Sequence, residues 1–120
     1  NIYFSVVDVR DVAKLHVESL TNSKSDFKRI ITSSSETISF LEISKILRKI
    51  GYKKSTLKLV PNQIINLLAI FNKDMRTSAS MIKRGNFSLD LSQTNDIYNW
   101  QPTPIYKTIS DMSNSLKMFL

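Results

Sequence analysis

The chain has 120 residues, 42% hydrophobic and 22% charged, with 17 Lys and Arg against 10 Asp and Glu for a formal net charge of +7. Its two glycines, Gly51 and Gly85, are too few to build a G-x-G-x-x-G or P-loop cradle for phosphate. The absence of cysteine excludes disulfides, thiol nucleophiles and thiolate metal sites, and the single histidine, His16, excludes any two-His zinc motif.

The length suits a single domain over residues 1–120. The first residue is Asn1, so the chain is expected to be processed, trimmed or part of something longer. No charged segment followed by an apolar run opens it, and the most apolar stretch, residues 64–71, is far short of the roughly 20 residues of a membrane span. A cytoplasmic protein with no membrane partner is expected. The positive balance favours an anionic partner: nucleic acid, an acidic surface or a phosphate-bearing ligand.

In chain order, the aromatic and β-branched residues 2–7 predict a strand. Asp8 is placed as the N-cap of a helix over residues 9–20, with Asp11 in its first turn, where the helix dipole favours negative charge. Residues 27–32 predict a second strand. Ser39 and Glu42 then form the S-x-x-E capping box of a helix whose apolar face is Ile43, Ile46, Leu47 and Ile50. Gly51 follows as its left-handed stop. Residues 56–60 predict a short strand and Pro61 the first position of an apolar helix ending near Phe71. A further helix is expected over residues 74–84, ended by Gly85. Residues 87–91 alternate as a strand does. Ser92 is placed as the cap of a turn of helix through Tyr98, and Thr103-Pro104 as the N-cap and first position of a final helix marked by Ile105, Ile109, Met112 and Leu116. The fold class is therefore α+β, mostly helical with a few short strands.

Candidate functional residues are few. Arg48, Lys49, Lys53, Lys54 and Lys58 form the densest basic cluster, suited either to phosphate contacts or to a solvated helix end. Nucleic acid is disfavoured because only Tyr52 could supply stacking within that cluster. His16 has no carboxylate three or four residues on and is expected to be structural. Asp8 and Asp11 suit capping better than cation binding. Trp100 ahead of the last helix is expected as a core anchor. There is no Tyr-x-x-x-Lys and no G-x-S-x-G, so no catalytic residue is assigned.

Several segments together resemble a known family. Residues 7–16, Val-Asp-Val-Arg-Asp-Val-Ala-Lys-Leu-His, are similar to the "V-D-V-R-D-V-A-x-A-H" of extended short-chain dehydrogenases/reductases, especially the dihydroflavonol reductase and epimerase/dehydratase group. Residues 28–33 followed by Ser39-Phe40-Leu41-Glu42-Ile43 resemble that family's next strand and "S-x-x-E-I" helix. Val60-Pro61 opening an apolar helix also fits. Residues 71–76 resemble "F-D-P-x-x-R", with Lys73 in place of proline. Residues 90–102 resemble "D-x-S-x-x-x-x-x-L-G-W-x-P", with Tyr98-Asn99 where Leu-Gly is usual.

The resemblance implies the C-terminal, substrate-binding portion of a Rossmann-type α/β enzyme, an NAD(P)-dependent oxidoreductase or epimerase/dehydratase. It implies that residues 27–33 form an outer strand of the Rossmann sheet. The catalytic pair and the NAD or NADP site would belong to an N-terminal Rossmann domain outside this chain, which would be its partner beside a small-molecule substrate. No cofactor or metal is expected to be held by this chain. Arg76, Lys83 and Arg84 are the candidate contacts to an anionic substrate group, against the alternative of a solvated basic face. Alone, the chain is expected to be catalytically inactive and to self-associate through its apolar helix. The alternative is a non-catalytic basic α+β binding module for an anionic partner.

Overall fold

The computed structural model describes residues 1–119, with the side chains of Phe71 and of residues 73–75 outside the description. Met75, expected on an apolar helix face, and most of the segment resembling "F-D-P-x-x-R" therefore lie outside the described side chains. Six helices and one two-stranded sheet among the described residues make the chain α+β. They divide between two compact units, each built from two stretches of chain.

The first unit comprises Asn1–Phe4 and Thr37–Phe87. Its sheet pairs β1 (Tyr3–Ser5) with β2 (Thr37–Ser39). Helix α2 (Phe40–Lys49) starts as its sequence dictates. Ser39 Oγ accepts from the Glu42 amide at 3.3 Å, and Glu42 Oε2 accepts from the Ser39 amide at 2.8 Å. Those two bonds satisfy two amides that the helix cannot. It ends on Gly51 at φ +106°, with the Tyr52 amide reaching back to the Leu47 carbonyl at 2.9 Å and the Gly51 amide to Arg48. Phe4 and Phe40 meet edge to face with centroids 4.4 Å apart. Helices α3 (Asn62–Phe71) and α4 (Lys73–Arg84) pack on one another, and Gly85 at φ +66° stops α4.

The second unit comprises Ser5–Glu36 and Ser88–Leu120. It holds α1 (Val9–Ser19), α5 (Ser92–Tyr98) and α6 (Ile105–Leu116), with 3-10 turns at Ser23–Ser25 and Lys117–Phe119. Among the described residues its buried apolar side chains are Leu15, Leu91 and Ile109. Buried polar groups fill the rest of the interior, and each is partnered. Thr94 Oγ1 donates to the Ile31 carbonyl at 2.7 Å, Trp100 Nε1 to the Ser33 carbonyl at 2.7 Å, and the Ser34 amide to the Val6 carbonyl at 2.8 Å.

Three expected strands are absent. Residues 27–32 make no ladder among the described residues: Phe27 turns into the left-handed region at φ +57°, fully exposed, and the extended stretch after it is pinned by side chains instead. Residues 56–60 and 87–91 are likewise irregular. A β pattern needs a neighbouring strand to become a strand, and these have none. Conversely, β2 falls on residues just ahead of α2 for which the sequence predicts no strand. Pro61 and Pro104 sit at the N-cap, one position earlier than expected, and Ser92 is the first helical residue of α5 after Leu91.

The capping box makes a direct prediction. Ser39→Ala is expected to lower the unfolding free energy by about 1 kcal/mol, read as the urea midpoint. An unchanged midpoint would show that the box contributes nothing.

Candidate functional site

Helix α4 carries Arg76, Ser80 and Lys83 at i, i+4 and i+7, which is one face of a helix. The opposing wall is Asn66, Ala69 and Ile70 of α3, spaced i, i+3, i+4. Together they line an open groove of about 610 Å³, floored by the buried Ala79. Small side chains at Ala69 and Ala79 leave the space, and the two cations stand over it. Arg76 and Lys83 are both exposed, and neither pairs with a carboxylate among the described residues. The groove therefore offers two exposed positive charges, a hydroxyl, an amide and an apolar wall. Such a lining suits a ligand that is anionic at one end and apolar at the other.

Two of the three cations singled out from the sequence thus share one groove. The third does not line it: Arg84 lies over the Phe87 ring, 3.9 Å from its centroid, a cation–π contact that closes the end of α4. Asn66 and Ser80 had not been singled out. The only signal for Ser80 was its spacing from Arg76, and for Asn66 its place as a polar residue within an apolar run.

The other candidates resolve into local structure. Arg48 of the basic cluster donates from Nε to the Ser55 carbonyl at 2.8 Å and from Nη2 to the Lys53 carbonyl at 3.0 Å, fastening the loop after α2. Lys49, Lys53 and Lys54 are exposed. His16 donates from Nδ1 to the Val12 carbonyl one turn back, at 2.8 Å. Trp100 is half-buried and anchored to Ser33, as an aromatic ahead of a last helix should be.

Asp8 and Asp11 are capping and tying groups. Asp8, 3% exposed, accepts from the Arg10 amide at 2.9 Å, from Arg10 Nε at 2.8 Å and Nη2 at 2.7 Å, and from Thr108 Oγ1 at 2.9 Å. Arg10 also reaches Asp111 at 2.8 Å, which Lys107 holds from the other side. Asp11 accepts from the Thr103 amide at 2.6 Å and its hydroxyl at 3.0 Å. These bonds are walled by Val7, Val9 and Met112 around a shallow cavity of about 440 Å³. No group of three or more metal-ligating side chains occurs among the described residues.

The Arg10 guanidinium, followed by the Arg10 amide and the Thr108 hydroxyl, holds the Asp8 carboxyl well below the usual carboxylate range against the opposing effect of burial. Stability from this group is therefore complete above about pH 4 and is lost as the pH falls further. Asp8→Asn is expected to cost about 1–3 kcal/mol at neutral pH and to flatten the acid side of the stability profile, measured as urea midpoints from neutral to acid pH. A variant profile running parallel to the wild type would contradict this assignment.

No protein-family model matches this sequence, and no curated protein or solved structure is significantly similar to it.

Proposed function

We propose that the chain is the substrate-side, C-terminal portion of an extended short-chain dehydrogenase/reductase, an NAD(P)-dependent oxidoreductase or epimerase/dehydratase. The observation that carries this reading is that segments matched separately to the family meet in space. Trp100, from the stretch resembling "L-G-W-x-P", donates to Ser33 in the stretch resembling the family's sheet strand, and Thr94 from the same region donates to Ile31. Asn99, standing where the family has glycine, adopts φ +48°, the backbone that a glycine there would supply. Residues 28–33, which make no ladder among the described residues, then have a role as an edge for a neighbouring strand. On this reading the α3–α4 groove takes the substrate's anionic group through Arg76 and Lys83, and hydride transfer belongs to the Rossmann domain.

A second reading, a basic non-catalytic binding module, is favoured by the distribution of charge. The unit formed by residues 1–4 and 37–87 holds ten Lys and Arg against two acids, whereas the other unit holds seven against eight. The whole positive excess is thus on one unit.

The coding sequence upstream separates these readings, whereas the absence of turnover by the chain alone is expected on both. The enzyme reading expects the reading frame immediately upstream to encode a glycine-rich βαβ unit and Tyr-x-x-x-Lys; a frame lacking them overturns it. It also expects no NAD(P)H-linked turnover by the purified 120 residues, since no catalytic pair is present in them.

A further inference from the structure

Helix α3 has two faces of different fate. Ile65 and Ala69 are half-buried on the side where α3 packs with α4. On other sides Ile64, Leu67, Leu68 and Ile70, with Leu59 and Val60 just ahead of the helix, are 47% to 65% exposed. Ile64, Leu67 and Leu68 fall at i, i+3, i+4 and form one continuous stripe. No residue from Pro61 to the end of α3 is charged. Apolar surface of this extent marks a place where something docks.

The surroundings of the stripe say what kind of surface that is. Lys53, Lys54 and Lys58 are exposed on the approach to α3. Arg76 and Lys83 line the groove on its flank, next to Ile70. The unit carries a formal charge of +8, with ten Lys and Arg against two acids. A short, uncharged apolar helix with two cations in the groove beside it is complementary to a surface that is negative outside and apolar a few ångströms below. A protein partner would have to supply an apolar groove and a matching ring of acids. An anionic bilayer supplies both everywhere.

We infer that the α3 face docks on the surface of an anionic phospholipid bilayer, with Leu67 and Leu68 among the acyl chains and a lipid phosphate in the groove between Arg76, Ser80 and Lys83. This departs from the expectation of no membrane partner, which rested on the lack of a spanning stretch. No helix among the described residues is long and apolar enough to cross a membrane, and lying in the interface requires no such helix. The inference does not rest on the enzyme reading, and it gives the groove between α3 and α4 to a lipid phosphate in place of a substrate's anionic group.

The test is co-sedimentation of the 120-residue chain with vesicles of phosphatidylcholine alone and of an equal mixture of phosphatidylcholine and phosphatidylglycerol. Binding is expected to the mixture only and to weaken as salt rises. Arg76→Glu with Lys83→Glu is expected to weaken it by about twentyfold or more, since each cation near such a surface contributes about fivefold. Leu67→Ser with Leu68→Ser is expected to abolish stable binding with an unchanged far-ultraviolet circular dichroism spectrum. Arg76, Lys83 and Leu67 are mostly exposed and Leu68 is about half-exposed, so the unchanged spectrum serves as the control for folding. Equal binding to the two vesicle types overturns the inference, as does wild-type binding by either variant. So does a chain that binds inorganic phosphate but no vesicle. A chain that sediments as a dimer through the same leucines without binding vesicles makes the face an interface between copies and also overturns it.

Discussion

The second unit depends on a carboxylate that cannot be left alone. Asp8 is buried at the start of α1, where an unpaired charge would cost several kcal/mol. Its two oxygens instead take four donors, three from Arg10 and one from Thr108. The Arg10 amide among them is the bond that caps α1, and the Thr108 hydroxyl is the one that reaches α6. Because Asp11, one turn on, accepts from Thr103 just ahead of α6, the two helices are fixed to one another at two points. Few apolar contacts are then needed to orient them.

That arrangement explains the uneven character of the two units. Where polar pins define the geometry, as with Thr94 on Ile31 and Trp100 on Ser33, the interior can be small and rich in hydroxyls. The other unit does the reverse. Its helices are stopped and started by self-contained local devices, and much of the apolar surface of α3 remains outside. Its excess cations, with few acids to meet, leave it as the electrostatically active half of the chain.

What was legible in the sequence follows the range of the interactions involved. The capping box at Ser39 and Glu42, the stop at Gly51 and the cap at Asp8 involve residues within a few positions of each other, so their chemistry is written in adjacent letters. All six helices were foreseen for the same reason. The strands failed because residues 27–32, 56–60 and 87–91 carry β-like patterns whose realisation depends on a neighbour elsewhere. Left-handed Phe27 gave no warning, since an aromatic residue rarely adopts that backbone. In the groove, Arg76 and Lys83 could be picked out by charge, but the wall opposite them comes from the packing of α3 on α4, which no local pattern announces. Arg84, equal to them by charge, was drawn away by the Phe87 ring.

Phe27 has a last consequence. It projects into solvent directly before Lys28 and Arg29, on exposed backbone with no ladder bonds beyond it. Exposed segments outside helices and ladders are where proteases nick a folded chain, and Phe27, Lys28 and Arg29 offer side chains of chymotryptic and tryptic specificity, so this is where limited digestion is expected to cut first. A nick there does not by itself release the pieces. The Ser34 amide still holds the Val6 carbonyl, and Asp8 and Asp11 still hold Thr108 and Thr103, so bonds join the two sides of the break. The cut chain would migrate as two bands under denaturing conditions and as one particle under native ones.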